Sequence, residues 1–535
     1  MNFLNSKSGM FITAFISGIL LTIAWPSAGF APLLFIALIP LLFMEDAALK
    51  QNAVIKSRFI FFNSFFTFLT FNLLTTWWVK YASLFGAVAA IFFNALFMAI
   101  VFQLFHITRK KLGNGIGYLS LVVYWVAFEH LHMAWDLSWP WLTLGNGFAG
   151  WPLMIQWYEF TGVLGGTIWI WAVNILIYKA LAGKLFSIDG YRYVRSLKIV
   201  AVLIAIPVIY SVVRYYTYEE TPAPVNIAVI QPNIDPYNEK FSGMSSDSQL
   251  QRILSLAETV TDSTTDYVVA PETAMPEGIW EEDLQHHPQV YKLKSFLEQF
   301  PKADWVIGLA SNKFYPDSNI RTATARKFTQ EEGYYDSYNT AMQLSVDGKI
   351  QLHHKSKLVP GVEKMPYPEI FKYLDAFAID LGGISGSLGV QDVPSVFSNS
   401  KTSNIIAPVI CYESIYGDYM SKYIRQGASL IFIITNDGWW SDTPGYRQHL
   451  KYGTLRAIEF RRSIARSANT GISCFINQRG DILAPTKWWT PDAIKSTLNA
   501  NTAMTLFART GDLIGILASL GSVILMSLFF LRKKR

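Results

Sequence analysis

Cys411 closes an apolar run, Ile405-Ile406-Ala407-Pro408-Val409-Ile410, and is followed at once by Tyr412 and Glu413. A buried strand that delivers a thiol at its C-terminal end is one way to present a nucleophile; a cysteine packing as a small hydrophobe is the other reading of the same residues. The partners decide between them. Two further β-type runs end in polar groups: Asp266-Tyr267-Val268-Val269-Ala270 leads into Pro271-Glu272, and Ser429-Leu430-Ile431-Phe432-Ile433-Ile434 leads into Thr435-Asn436-Asp437. The segment His353-His354-Lys355-Ser356-Lys357, before Leu358-Val359-Pro360, brings lysines to a strand end. A thiol near its free pKa is little ionised at neutral pH, so a carboxylate must take its proton, and Glu272 is the candidate base. Attack on an ester carbonyl builds negative charge on oxygen, which a fixed cation stabilises; Lys355 or Lys357 would supply it. The chemistry expected is acyl transfer through a thioester on Cys411.

These stretches resemble the nitrilase, or carbon-nitrogen hydrolase, superfamily. Its three motifs, in its order, match Ala270-Pro271-Glu272-Thr273, Lys355 before Leu358-Val359-Pro360, and Ile410-Cys411-Tyr412-Glu413. The resemblance implies an α-β-β-α sandwich and a catalytic triad of Glu272, Lys355 and Cys411. It selects Lys355 over Lys357, which is then expected to be a solvated charge. It also implies accessory roles for Glu363, in assisting proton transfer, and for Glu413, in ordering the region behind the cysteine. The turn at Glu363 reads Pro360-Gly361-Val362-Glu363, where many members have Phe-Gly-Glu. Tyr412 is expected to line the same pocket.

The elements that must position these residues belong to an unusually apolar chain. Of 535 residues 51% are hydrophobic and only 16% charged, which excludes an ordinary soluble enzyme and predicts a membrane protein. The net charge of +6 comes from Lys and Arg that cluster beside apolar spans, which excludes a nucleic-acid partner. Eight spans are expected: Met10 to Trp25, Ala31 to Met44, Phe59 to Trp78, Leu84 to Phe105, Tyr118 to Phe128, Gly162 to Tyr178, Ile199 to Tyr215 and Leu513 to Leu531. Basic residues follow every even-numbered span: Lys50, Lys56 and Arg58; Arg109, Lys110 and Lys111; Lys179 to Lys198; and Arg532 to Arg535. The positive-inside rule then puts both termini in the cytoplasm and the large domain between the last two spans outside it. Residues 1–217 are expected to form a bundle of about seven membrane helices, 218–224 a linker, 225–505 the catalytic domain, and 510–535 a last membrane helix with a basic tail. Within the domain, strands are predicted at Trp305 to Ala310, Tyr338 to Leu344, Ile350 to His354 and Ile472 to Asn477. Helices are predicted near Ser248 to Val260, Gln289 to Gln299 and Arg447 to Ser467. Of the two cysteines, Cys474 is expected to be buried and unpaired.

Between the fifth and sixth spans, residues 129–160 carry Trp135, Trp139, Trp141, Trp151 and Trp157, suited to a membrane interface. Trp139-Pro140-Trp141-Leu142, Gln156-Trp157, Gln231-Pro232-Asn233-Ile234 and Ala508-Arg509-Thr510-Gly511-Asp512 extend the resemblance to one membrane branch of the superfamily, the apolipoprotein N-acyltransferases. That branch implies a phospholipid acyl donor, phosphatidylethanolamine foremost, and diacylglyceryl-modified apolipoproteins as acceptors, at the bacterial inner membrane, without cofactor or metal. The loop Gly438 to Tyr446, with Trp439, Trp440 and Tyr446, is expected to contact substrate or lipid. Two other classes stand beside this reading. A membrane-tethered amidase would not need about eight spans, and a transporter predicts charges within the bundle, which the spans largely lack.

Overall fold

Helical and strand periods separate cleanly along the chain. The computed structural model describes residues 6–27, 29–51, 55–185, 190–330, 332–367, 387–399 and 401–532; the basic residues at 533–535 lie outside them. Residues Met1–Trp77, Ala87–Thr217 and Thr510–Arg535 make up one compact unit, and Trp78–Gly86 with Tyr218–Arg509 the other.

The first unit is helical: α1 (Lys7–Ala24), α2 (Ile39–Lys50), α3 (Ser57–Thr76), α4 (Leu84–Leu112, whose first turn belongs to the second unit), α5 (Asn114–His132), α6 (Tyr158–Leu185) and α7 (Gly190–Thr217), with a last helix at Leu513–Leu531. Ile12, Phe62, Ile206, Val213, Leu520 and Phe530 are among the large apolar side chains these helices leave exposed, a pattern suited to lipid rather than water. Among the described residues, seven helices are long and apolar enough to cross a membrane, not the eight expected. The one that falls short is α5: it forms a full helix, but Glu129, His130 and His132 dilute its C-terminal end.

Glu129 has a structural reason to be there. Its buried carboxylate accepts from Trp125 Nε1 at 3.0 Å, Leu144 N at 2.9 Å and Thr167 Oγ1 at 2.6 Å, which ties the tryptophan-rich segment to α5 and α6. That segment runs through short 3-10 turns at Pro140–Leu142, Leu144–Phe148 and Pro152–Met154, with Trp139 and Trp141 buried and stacked on each other. A second polar cluster joins α2 to α4. Arg109, expected in a loop, lies in the last turn of α4 and is buried against Glu45 and, at 2.6 Å, Asp46; His106 Nδ1 is 2.8 Å from Glu45. The bundle therefore holds more charge than its sequence suggests, but as satisfied pairs at helix ends.

The second unit is built on two sheets. The first has the order β14-β1-β2-β4-β6-β5, with β3 beside β4 and β7 beside β6. Its strands are β1 (Pro224–Gln231), β2 (Tyr267–Val269), β3 (Met275–Trp280), β4 (Asp304–Tyr315), β5 (Arg326–Lys327), β6 (Tyr334–Leu344), β7 (Ile350–His354) and β14 (Asp492–Asn499). The second has the order β13-β12-β11-β10-β9-β8, from β8 (Phe397–Ser398), β9 (Ile405–Ile410), β10 (Leu430–Thr435), β11 (Ile464–Ala468), β12 (Cys474–Ile476) and β13 (Ile482–Leu483). Val229, Val269 and Val306 of one sheet and Ile410, Phe432 and Ile434 of the other share one core, so the sheets pack face to face.

The outer face of the first sheet is covered by α8 (Ser246–Val260) and α9 (Pro288–Gln299), through Leu250, Ile253, Leu293 and Phe296 against Ile230, Val268 and Trp305. Each such side chain contributes about 1.5–3 kcal/mol of burial. The second sheet carries α10 (Gly417–Arg425) and α11 (Pro444–Phe460); a Cβ at Gly453 of α11 would lie 3.0 Å from the Ile476 side chain and 3.9 Å from that of Ile433. The result is an α-β-β-α sandwich. Strand β10, covered on both faces, is buried at every residue and apolar from Leu430 to Ile434.

One predicted helix is shorter than expected. Arg447 to Ser467 is read as one helix, but α11 stops at Phe460, where Arg461 turns into the left-handed region at φ 50°, and Ile464–Ala468 becomes β11. Arginine in place of the usual glycine hid the stop. Cys411 and Cys474 are both buried and free.

Candidate active site

The strands β1, β2 and β4 run parallel, as do β9, β10 and β11, and the candidate residues collect at their C-terminal ends. Glu272 leaves the end of β2 in a tight turn with Thr273 at φ 45°. That turn presses on β4: a Cβ at Gly308 would lie 2.6 Å from Thr273 N and 2.7 Å from both Glu272 Cα and Pro271 O. Only glycine admits backbone at that distance. The Glu272 carboxylate is then held from three directions. Oε1 accepts from Lys355 Nζ at 2.9 Å and Asn339 Nδ2 at 2.7 Å, and Oε2 accepts from Asn436 N at 3.0 Å.

Lys355 follows β7 directly and is buried. Its ammonium bridges Glu272 and Glu363 Oε1, the latter at 2.7 Å. Burial works against its charge, but the two carboxylates outweigh it and hold the group well above the usual lysine range. Glu363 is not an exposed carboxylate. Its Oε1 also accepts from Asn339 Nδ2 at 3.1 Å and its Oε2 from Val359 N at 2.8 Å, which closes the turn after Lys355 around the ammonium.

Cys411 stands at the end of β9 in the left-handed region, at φ 48°, and its thiol is buried. Burial, and next the Glu272 carboxylate, push the thiol well above the ordinary cysteine range, with Lys355 opposing. At rest the sulfur is therefore protonated beside an anchored carboxylate. Glu413 ties the cysteine to the lysine: it accepts from Ile410 N, just before Cys411, at 2.9 Å and from Ser356 N, just after Lys355, at 2.7 Å. Tyr419 and Tyr423 hydroxyls and His353 Nε2 complete its shell. Burial opposes its charge, but His353 and these donors bring its pKa below the usual glutamate value.

The other expected residues pack against aromatic rings. Lys357 is not simply solvated; it is half-buried, 5.1 Å over the ring of Tyr416 and 5.8 Å over that of Tyr419. Tyr412 is buried edge-on to Tyr416. In the aromatic loop, Trp439 is half-buried, stacked on Phe241 and accepting through its carbonyl from Tyr237 at 2.7 Å. Trp440 is half-buried between Trp78 and His449. Tyr446 is buried, stacked 3.9 Å from Trp488. It packs the start of α11 and is not at the surface.

Several residues at the site carry no signal in the sequence. Asn339 lies in mid-strand in β6, and His353, Tyr419 and Tyr423 reach Glu413 from separate elements. Lys240, also buried, donates from Nζ to the Glu272 carbonyl at 3.3 Å. Burial lowers its pKa to about 8, with Glu272 opposing.

Fold and site together define a carbon-nitrogen hydrolase domain, and residues 226–505 match the family described as carbon-nitrogen hydrolase. Residues 17–176 match the apolipoprotein N-acyltransferase N-terminal domain. The apolipoprotein N-acyltransferase of Chlorobaculum tepidum is 30% identical over 517 residues, which covers 94% of this chain and 93% of that protein. That of Geobacter metallireducens is 25% identical over 534 residues, 98% of this chain and 96% of its own. Among solved structures, Saccharomyces cerevisiae Nit3, a member of branch 10 of the nitrilase superfamily, aligns with 55% of this chain and 97% of its own at 14% identity and a TM-score of 0.35. The chain belongs to the apolipoprotein N-acyltransferase family: it is a membrane acyltransferase of the carbon-nitrogen hydrolase class.

Proposed function

We propose that the chain takes an acyl group from a phospholipid onto Cys411 and passes it to the α-amino group of the N-terminal diacylglyceryl-cysteine of lipoproteins. The observation that carries this reading is the convergence of Glu272, Lys355 and Glu363 into one buried hydrogen-bonded cluster beside Cys411, in a chain whose relatives bear that activity in their name.

Glu272 accepts the thiol proton as sulfur attacks the ester carbonyl of the donor. The negative charge that develops on the carbonyl oxygen is stabilised by the Lys355 ammonium, which Glu272 and Glu363 hold in its charged form. Collapse breaks the ester C–O bond, and Glu272 returns its proton to the departing lysophospholipid. The acceptor amine then attacks the thioester; its proton passes to Glu272 and from there to the released thiolate. Glu363 supports the proton transfers, and Glu413 keeps Cys411 and Lys355 in register. Phosphatidylethanolamine is the proposed donor. The half-buried Trp439 and Trp440, with Tyr446 of the same loop, are proposed to flank the lipid and keep water from the thioester.

With the 19-residue α5 counted as the eighth crossing, the basic residues that follow alternate spans support a bacterial inner-membrane protein with the catalytic unit on the periplasmic side and both termini in the cytoplasm. A reporter active only outside the cytoplasm should be active when fused near Thr221 and silent after Arg532; the reverse would overturn the orientation.

The mechanism is tested by incubating the purified protein with phosphatidylethanolamine alone. Its mass should rise by one acyl group with release of about one equivalent of lysophospholipid, and neutral hydroxylamine should remove the adduct. Cys411→Ala should never acquire it. Continuous lysophospholipid release without an amine would instead identify a hydrolase.

A further inference from the structure

Behind Cys411 lies a buried hydrogen-bonded chain that the acyl-transfer scheme leaves unused. His449 of α11 places Nδ1 2.9 Å from Asp437 Oδ1 and Nε2 3.0 Å from Ser414 Oγ. The connectivity is that of a serine-histidine-aspartate triad. Its surroundings are not. Ser414 and His449 are each 1% exposed and Asp437 is fully buried, so no carbonyl substrate meets the hydroxyl. The hydroxyl is also engaged already: Ser414 Oγ donates to the carbonyl oxygen of Cys411 at 2.7 Å. His449 Nε2 faces that same oxygen at 3.2 Å. The chain therefore ends on the backbone of the candidate nucleophile.

Cys411 needs such a hold. A non-glycine residue at φ 48° costs on the order of 1–3 kcal/mol and persists only where its surroundings over-determine it. If the peptide following Cys411 turned, the Cα–Cβ bond that aims the sulfur would turn with it. The far end of the chain is well anchored. Asp437 accepts from Arg466 Nη2 at 2.5 Å and from Thr435 Oγ1 at 2.8 Å, and Arg466 Nη1 donates to Ile472 O at 2.5 Å. Adjacent strands β10 and β11 thus fix the carboxylate, the carboxylate fixes the imidazole, and the imidazole meets the cysteine. Arg466 Nη2 also lies 3.2 Å from His449 Nδ1, so the imidazole is held on that side by both the Asp437 carboxylate and the guanidinium that anchors it.

We propose that His449 is a positioning residue for acyl transfer: anchored by Asp437, it clamps the Cys411 carbonyl together with Ser414 and so holds the thiol in attack geometry. This rests on Cys411 being the nucleophile.

The test is single-turnover acylation of the full-length protein by phosphatidylethanolamine in detergent micelles, followed by mass. His449→Ala should slow acylation at saturating phospholipid by about 100-fold without raising the concentration for half-maximal rate, because the residue touches no substrate. His449→Gln, whose side-chain amide restores a donor toward the carbonyl, should recover at least about tenfold of that loss. The rate of Cys411 alkylation by iodoacetamide should fall in step. Acylation of His449→Ala within about threefold of wild type, a loss expressed only in the half-saturating concentration, or a glutamine variant no better than alanine would each overturn the proposal. If His449→Ala does not fold, Ser414→Ala carries the test with an expected loss of about tenfold, and a wild-type rate in it would overturn the clamp. Cys411→Ala separates the two readings. Acylation of that variant would overturn Cys411 as the nucleophile, whereas an inert Cys411→Ala beside a fully active His449→Ala would overturn only the clamp.

Discussion

A side chain at Gly308 would stand 2.7 Å from the Cα of Glu272, so the smallest residue of β4 sets where the candidate base sits. All three atoms nearest that hypothetical Cβ are backbone and cannot swing aside. Gly308→Ala should therefore displace the Glu272 turn. We expect turnover to fall by about 10- to 100-fold and stability by about 1–3 kcal/mol, measured by acylation rate and thermal melting. Unchanged kinetics would show that the turn relaxes without moving the carboxylate.

Lys240 gives a prediction of opposite sign for stability. Its pKa is lowered from 10.5 to about 8 by burial, which corresponds to a cost of about 3 kcal/mol for folding with the charge in place. That cost is complete below pH 8, where folded and unfolded states are both protonated. It is relieved as pH rises from 8 toward 10.5, where the unfolded chain still binds the proton and the folded one does not. Lys240→Met should melt at a higher temperature than wild type at pH 7, and the gap should narrow by pH 10. The variant should also turn over about tenfold more slowly, because the Glu272 carbonyl loses its donor. A variant less stable than wild type at pH 7 would contradict this.

For Glu413 the sign reverses. A glutamate whose folded pKa lies below the unfolded 4.5 adds stability that is full above pH 4.5 and is lost as pH falls further, through the folded value. Glu413→Gln keeps the shape but turns an amide toward the donors of Ile410 or Ser356. We expect a loss of about 2–4 kcal/mol at pH 7 and a shallower decline in melting temperature below pH 4.5 than in wild type.

The two lysines after β7 should separate sharply. Lys355→Ala leaves Glu272 and Glu363 buried without their shared cation and should reduce acylation by at least about 1,000-fold. Lys357→Ala removes only the contacts over Tyr416 and Tyr419, worth about 1 kcal/mol, and should acylate within a few-fold of wild type. Acylation assays on both variants decide it; an inactive Lys357→Ala would overturn the assignment of the cation.

The strand ends that carry Glu272, Lys355 and Cys411 are legible because polarity changes abruptly there, and short-range pattern is what a sequence displays. Strand β7 begins and ends where the pattern puts it, at Ile350 and His354. What could not be read is whatever depends on distant pairing. Asn339 is one polar residue among many on β6, and only the sandwich brings its amide to Glu272 and Glu363. His449, in α11, meets Asp437 and Cys411 only after two strands and a helix have packed. The end of α11 escaped notice because Arg461 adopts a backbone conformation that glycine usually announces. Burial of Glu45, Asp46 and Arg109 likewise requires α2 and α4 to be side by side.

The catalytic unit takes Trp78–Gly86 from a stretch of chain well ahead of its main body, which starts at Tyr218. The Trp78 ring lies on Trp440 and so close to the start of α11 that a Cβ at Gly445 would be 2.6 Å from it. During synthesis the ribosome releases this indole long before Trp440 or Gly445 exists, so the unit completes its packing only by waiting for residues made much later. It is also not a cassette that recombination can move in one piece. A polypeptide beginning at Tyr218 would contain Glu272, Lys355 and Cys411, yet leave Trp440 and Gly445 without their indole cover. Inheritance of this chemistry is thereby bound to inheritance of the helices that precede it.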